Sequence, residues 1–204
     1  MAFDSRSDTL WVGSATDGTL IGIDAESGRV VDTFTIDGLP SGGDLVSTGN
    51  NELWVATFDG EILKVDLAER RVVTRLGRFV GNEVSIAAAG GYLWATSVEQ
   101  PTLVRIDPDT EQVVERGDIN AAGNGFPGVA TSPDGALWIT AAPDRIERRD
   151  PQTGRILKSY DIPLDDDVHI NEYFRNSITT GFGSVWTTTF DDYSYDHAVI
   201  RLER

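Results

Sequence analysis

Both histidines of the chain, His169 and His197, lie near its C-terminal end in two segments rich in carboxylates and aromatic rings. The first segment covers residues 164–176 and the second covers residues 190–197. An imidazole beside a carboxylate can act as a general acid–base pair, and the same groups can bind a transition metal ion. If the protein is an enzyme, His169 and His197 are therefore the candidate catalytic residues.

Aspartates in the same two segments offer the oxygen ligands that Ca²⁺ prefers. The candidate cation ligands are Asp165, Asp167, Asp191, Asp192 and Asp196. Their spacing matches no established metal-binding loop, and exposed acidic turns are commonly only hydrated. The sequence therefore requires no cofactor, and a site for Ca²⁺ or another divalent cation is the alternative.

These segments could instead form a contact surface, because aromatic side chains supply a large contact area at low entropic cost. A further segment, 120–127, is rich in glycine and asparagine, which permit a close approach of the backbone to a ligand. The candidate ligand-binding residues are Asn124, Phe126, His169, Tyr173, Arg175, Tyr193, Tyr195 and His197.

The elements that must position these segments are defined by a repeat that contains all five tryptophans. They are Trp11, Trp54, Trp94, Trp138 and Trp186, at intervals of 43, 40, 44 and 48 residues. This interval fits a blade of four short strands and exceeds a leucine-rich or ankyrin repeat. No long window shows a helical period. The sequence predicts an all-β fold, a β-propeller of about five four-stranded blades with the tryptophans in the core between blades.

An aspartate ends an alternating apolar run 12 or 13 residues after each of the first four tryptophans. These aspartates are Asp24, Asp66, Asp107 and Asp150. Turn residues follow each one, so we expect the carboxylate to bond the backbone of a tight turn between the third and fourth strands. The prediction is one domain, 1–204, with blades at about 1–37, 38–79, 80–119, 120–163 and 164–204.

The fifth unit contains residues for only three strands, so we expect the last blade to lack its outer strand. Two arrangements remain open, a compact five-bladed ring and a segment of a larger propeller. In either case the unpaired edge of the last blade could mediate self-association.

The chain carries 33 acidic and 17 basic residues, a net charge of −16. This charge repels phosphate backbones and excludes nucleic acid as a partner. There are no cysteines, so disulfides, thiolate metal sites and thiol nucleophiles are excluded.

The sequence shows no signal peptide and no membrane-spanning segment, which predicts a soluble protein without membrane insertion and leaves its compartment unassigned.

The repeat of Leu-Trp followed by Ile-Asp-x-x-Ser/Thr-Gly-Arg-Val-Val, best seen from Leu10 to Val31, resembles the YVTN/NHL-like propeller superfamily. The unit from Phe126 to Ile139 is also similar to repeats of streptogramin (virginiamycin B) lyases and of quinoproteins. A lyase resemblance implies a divalent metal, a catalytic histidine and acidic residues at the channel mouth. A quinoprotein resemblance implies a pyrroloquinoline site, against which the fourth-strand residues Thr33, Thr74 and Ser159 argue.

Two functional hypotheses follow from these observations. The first is a non-catalytic sensor or recognition propeller that binds a protein or small-molecule ligand through the blade-five loops. The competing hypothesis is a metal-assisted lyase or hydrolase of the streptogramin lyase-like type that uses His169 and His197.

Overall fold

A computed structural model gives the fold as five antiparallel β-sheets. The structure describes residues 1–14, 16–37, 39, 43–78, 84–97, 102–119, 127–142, 144–162, 168–170, 178–191 and 197–203. Of these, only the backbone is described for residues 168–170, 189–191, 197, 198 and 203.

Twenty strands make up the five sheets, and most are five or six residues long. In chain order they are β1 (Ala2–Asp4), β2 (Thr9–Gly13), β3 (Thr19–Asp24), β4 (Val30–Thr35), β5 (Gly43–Gly49), β6 (Glu52–Thr57), β7 (Ile62–Asp66), β8 (Arg71–Leu76), β9 (Val84–Ala89), β10 (Tyr92–Ser97), β11 (Thr102–Asp107), β12 (Gln112–Asp118), β13 (Val129–Thr131), β14 (Leu137–Ala142), β15 (Arg145–Arg149), β16 (Ile156–Asp161), β17 (Val168–Ile170), β18 (Ile178–Gly181), β19 (Ser184–Asp191) and β20 (His197–Glu203).

Each of the first four sheets consists of four strands consecutive in the chain, and each strand pairs with its neighbour in sequence. The fifth sheet has only three strand positions. Strand β20 pairs along Ser184–Phe190 of β19, so β17 and β18 share the opposite edge of β19. The fold is that of a five-bladed β-propeller whose last blade lacks its outer strand, which confirms the predicted fold class.

The chain divides into two compact units, Met1–Ile86 and Ala87–Arg204. In the first unit, Trp11 packs edge-on against Phe34 with ring centroids 5.8 Å apart. In the second unit, Trp94 and Trp138 each belong to a separate buried cluster. The assignment of 1–204 to one domain stays a prediction.

The tryptophans lie where the repeat predicts them for the first four blades. Trp54, Trp94 and Trp138 are almost fully buried, and Trp11 is 6% exposed. Trp186 of the last blade is only half-buried. Burying a side chain of this size contributes several kcal/mol (~3–5) to stability, so one tryptophan per blade is a large share of the core energy.

The aspartate at the end of each third strand bonds the following turn, as predicted. Asp24 accepts a hydrogen bond from the Ser27 N–H at 2.7 Å, and Asp150 accepts one from the Thr153 N–H at 2.8 Å. Asp66 and Asp107 accept equivalent bonds from two turn N–H groups each. The residue four positions after the aspartate has a positive φ in all four turns: Gly28 (68°), Arg70 (54°), Glu111 (60°) and Gly154 (67°).

The first strands of successive blades are linked by hydrogen bonds from side chain to backbone. In the second unit, Thr131 donates to the Ala88 carbonyl at 2.7 Å and Thr180 donates to the Thr131 carbonyl at 2.6 Å. In the first unit, buried Asp44 accepts a bond of 3.0 Å from the Ile86 N–H. These bonds satisfy polar groups that are partly or, for Asp44, fully buried.

In the described ranges, no helix has the length and apolar character needed to cross a bilayer.

Candidate functional site

The backbones of the two histidines flank one residue of blade five. His169 on β17 pairs with Phe190 on β19, and His197 on β20 pairs with Phe190 from the other side. Adjacent strands are about 5 Å apart, so the two histidine backbones lie roughly 10 Å from each other. His169 of the first segment and His197 of the second therefore lie at the same end of β19.

The first segment, expected from the sequence to be one of the blade-five loops, contains a strand. Its middle part forms β17, and Val168 pairs with Asp191 at the end of β19. Strand β19 has eight residues, whereas the second strands of the other blades have five or six. The backbone groups of this extension pair with those of Val168–Ile170, which explains why this short stretch forms a strand.

Most of the predicted site residues lie outside the described part of the chain. They are Asn124, Phe126, Asp165, Asp167, Tyr173, Arg175, Asp192, Tyr193, Tyr195 and Asp196. For His169, Asp191 and His197 the structure gives the backbone alone. The roles assigned to these residues from the sequence stay predictions.

A cation site also stays a prediction. Within the described ranges, no three His, Asp or Glu side chains come together in a way that could hold a metal ion. The candidate aspartates belong to the segments around blade five, which lie outside the described ranges or are described by backbone only.

The described side chains contain one surface feature that sequence reasoning missed, an open cleft of about 310 Å³ on blade four. We call it the basic cleft. Its lining residues are Asp134, Trp138, Arg148, Leu157, Lys158 and Tyr160.

A cross-strand row of three side chains runs through the basic cleft. Trp138 on β14 pairs with Arg148 on β15, which pairs with Lys158 on β16. Residues directly opposite each other in antiparallel strands project to the same face, so the two cations are neighbours. Arg148 forms an ion pair of 3.4 Å with Asp134, and Lys158 Nζ lies 4.4 Å from the ring centroid of Tyr160.

The tryptophan and its basic neighbour recur in other blades. Lys64 lies over Trp54 at 5.5 Å, Arg105 over Trp94 at 5.7 Å and Arg201 over Trp186 at 5.5 Å. In blade one the corresponding residue is Gly22, and a Cβ there would lie 3.0 Å from Trp11 Cη2. A cation next to the tryptophan face is therefore a recurring feature of the blades. A second cation in the cross-strand row occurs in blade four alone among the described rows.

Blade four also holds a buried ion pair on its third strand. Glu147 and Arg149 are 2.6 Å apart, with side chains 3% and 8% exposed. Arg149 also donates to the Gly154 carbonyl at 3.1 Å. Since both charges are satisfied within the blade, this pair fits a structural role and offers no free group for chemistry.

Comparison with known proteins supports the fold. No family model matches the chain, and no curated protein matches it. Among solved structures, the extracellular domain of the putative one-component system BT4673 from B. thetaiotaomicron is similar, with a TM-score of 0.66 and 19% identity over 96% of this chain. Hydrazine synthase of Kuenenia stuttgartiensis has a TM-score of 0.66 and 15% identity over 99% of this chain. A chain of a mitotic checkpoint complex has a TM-score of 0.66 and 15% identity over 97%.

The chain spans only part of each of these structures, namely 29%, 64% and 58% of their lengths. At these identities the similarity establishes the propeller class and nothing more specific.

Proposed function

We propose that this protein is a non-catalytic recognition propeller that binds a polypeptide or a small ligand at the blade-five surface, defined as segments 163–177 and 192–196. The observation that carries the proposal is the pairing of Val168 with Asp191 and of both histidines with Phe190. It supports a common origin of the two segments at one end of β19.

The residue types in the blade-five surface suit recognition. Tyr173, Tyr193 and Tyr195 bring aromatic contact area, and Arg175 with the aspartates brings charge. Binding surfaces are typically carried by loops on a rigid scaffold, and the sheet of blade five is such a scaffold.

Two of the similar structures fit a recognition role. One is an extracellular domain of a putative one-component system, and the other is part of a mitotic checkpoint complex. A third belongs to an enzyme, hydrazine synthase. Propellers therefore serve several activities, and the choice between them depends on the site.

The competing function is a metal-assisted lyase or hydrolase that uses His169 and His197. Two histidine backbones roughly 10 Å apart could present imidazoles to one ion or substrate. This alternative requires a divalent cation, whereas recognition does not.

The recognition proposal is tested by mapping a ligand onto the backbone. Binders found in a library of short peptides and small metabolites are titrated into the isotope-labelled protein, and amide shifts are expected in Val168–Ile170 and Ser184–Asp191. The double change Tyr193→Ala and Tyr195→Ala should weaken binding at least about tenfold. Phe182→Ala is the matched control, because Phe182 is 96% exposed and lies in the turn at the other end of β19.

Shifts confined to other blades, or equal losses in the Phe182 control, would contradict the proposal. Calorimetric titration of the chelator-treated protein with Ca²⁺, Mn²⁺ and Zn²⁺ separates the alternative. Ion binding that disappears in both His169→Ala and His197→Ala would favour the metal-assisted enzyme. Absence of ion binding by the wild-type protein would exclude that alternative.

A further inference from the structure

The fourth strand of blade four carries a cation where the other blades carry none. The residues that complete the cross-strand row are Asp32 in blade one, Thr74 in blade two, Glu115 in blade three and Lys158 in blade four. In blade three, Glu115 neutralises Arg105 at 2.9 Å. In blade four, Lys158 lies opposite Arg148, and like charges in this position repel each other.

Lys158 has no carboxylate partner within the described ranges. The nearby Asp134 pairs with Arg148, and the contact of Lys158 is with the Tyr160 ring on its own strand. The basic cleft thus carries excess positive charge in a chain with a net charge of −16. An exposed cation beside the Tyr160 ring is a favourable site for an anionic partner group.

The first unit shows what covers the corresponding surface of blade one. Arg70, from the turn between β7 and β8 of blade two, forms an ion pair of 3.1 Å with Asp32. The same guanidinium lies 5.0 Å from the ring centroid of Phe34, and Leu67 joins the cluster of Trp11. The turn of the following blade therefore supplies a charge opposite to that of the fourth strand.

In the second unit, the corresponding turn of blade four contacts blade three through neutral hydrogen bonds. Trp94 donates through Nε1 to the Pro151 carbonyl at 3.2 Å, and Gln152 donates to the Gly90 carbonyl at 2.7 Å. Pro151 and Gln152 belong to the turn between β15 and β16 of blade four. In both units, a turn between third and fourth strands thus packs beside the tryptophan of the preceding blade.

Blade five presents no such turn to blade four in the described part of the chain, where its sheet ends with β20. Ile200 and Leu202 of β20 pack against the core cluster of Trp138, and so does Tyr160. The outer edge of β20 pairs with none of the described strands, and Val199 is 67% exposed. The basic cleft and this strand edge therefore border the same core cluster.

We propose that the basic cleft and the outer edge of β20 together bind an acidic polypeptide segment. The segment adds a strand to β20 and sets a carboxylate against Lys158. It reproduces, with the charges exchanged, the contact that Arg70 makes with Asp32 and Phe34. Strand addition supplies main-chain hydrogen bonds, and the carboxylate supplies selectivity for acidic sequences.

The chain itself provides a pair of matched probes for the test. A labelled peptide with the sequence of residues 107–118 is acidic, with five carboxylates and one arginine, and has the turn and fourth strand of blade three. A peptide with the sequence of residues 66–76 has the same elements from blade two, with two carboxylates and three arginines. Fluorescence anisotropy with the full chain should show at least about tenfold tighter binding of the acidic peptide.

Charge reversal at Lys158 gives the decisive variant. Lys158→Glu is expected to weaken the acidic peptide about tenfold and to strengthen the basic one. Arg29→Glu, an exposed position in blade one, carries the same change of net charge and should leave both affinities within about twofold. Equal losses in the two variants, or no preference of the wild type for the acidic peptide, would overturn the proposal.

Hydrogen exchange tests the strand addition separately. In the complex, amides of His197–Glu203 should gain protection, and Phe182 should not. Binding without protection of β20 would overturn strand addition. Dimerisation of the protein alone that Lys158→Glu abolishes would support the proposal and identify a second copy as the source of the segment, whereas dimerisation unaffected by this change and by the acidic peptide would contradict it.

Discussion

At the scale of single residues, the aspartates that end the third strands act through their charge. Hydrogen bonds from Ser27 lower the pKa of Asp24, those from the Thr110 and Asp109 backbone lower the pKa of Asp107, and those from Thr153 lower the pKa of Asp150. Each carboxylate therefore prefers the folded turn in its ionised form.

This preference predicts an acid-dependent loss of stability. The pKa values of Asp24, Asp107 and Asp150 are lower in the folded state than their ordinary value of 3.8, so their contribution is complete above that pH. It disappears as the pH falls through the folded-state pKa values. The triple change of these residues to Asn should lower the Tm at pH 7 and leave it nearly unchanged near pH 2.

Thermal unfolding followed by circular dichroism between pH 2 and pH 7 measures this difference. Glu26→Gln removes a charge from the exposed turn of blade one and serves as the control. Among the described contacts, the Glu26 side chain makes no hydrogen bond to the turn backbone. A difference in Tm between the triple variant and the wild type that is constant at all pH values would show that ionisation of the carboxylates does not contribute to stability.

At the scale of elements, the blades were predictable because each carries its own local signals. One tryptophan in each unit and one aspartate in each of the first four, at nearly constant spacing, predict four short strands and a tight turn. The split of the first strand of blade five into β17 and β18 was not predictable, because it depends on the extension of β19 beyond the usual strand length. Local sequence patterns do not predict which strand pairs with an extension of this kind.

The basic cleft was missed for a related reason. Nothing in the sequence distinguishes Lys158 from an ordinary lysine. Its place in the basic cleft depends on its strand register with Arg148 and Trp138. A comparison of corresponding positions across the blades would have shown a cation where Asp32 and Glu115 stand. The site around His169 and His197 rests on composition, since those residue types are concentrated there, and it stays a prediction.

The turn that covers Trp94 gives a prediction at this scale. Gly154 has a φ of 67°, and a Cβ there would lie 2.9 Å from Trp94 Cη2. Gly154→Ala therefore combines backbone strain with a clash against a buried ring. We expect a loss of about 2–4 kcal/mol in the free energy of unfolding.

Gly28→Ala is the matched control for that change. Gly28 occupies the same turn position in blade one with a φ of 68°, and a Cβ there would meet nothing within 4 Å. It should cost only about 1 kcal/mol, for the backbone strain. Urea unfolding of the two variants measures the difference, and equal losses would show that the turn of blade four does not press on Trp94.

At the scale of the whole molecule, 33 acidic residues against 17 basic ones predict a protein under electrostatic self-repulsion. The Debye length falls from about 30 Å at 0.01 M salt to about 3 Å at 1 M. We expect the Tm at pH 7 to rise by several degrees, roughly 3–8 °C, over this range of NaCl. Differential scanning calorimetry at a fixed protein concentration measures the rise.

The control for the salt effect is the same titration near pH 4.3, the isoelectric point of the sequence. There the net charge is close to zero, so screening has little repulsion to relieve. A rise of the same size at both pH values would assign the effect to salt-strengthened apolar burial instead of to charge.

In blades one to four, the pairing of each strand with its sequence neighbour also governs how the chain can acquire its structure during translation. Strands β1–β4 of blade one involve no partner beyond Thr35, so this sheet can form while later codons are still being read. Each later sheet can likewise assemble once its own stretch has left the ribosome, because the ladders close only short loops. A nascent chain built in this order exposes at most one incomplete sheet at a time to aggregation.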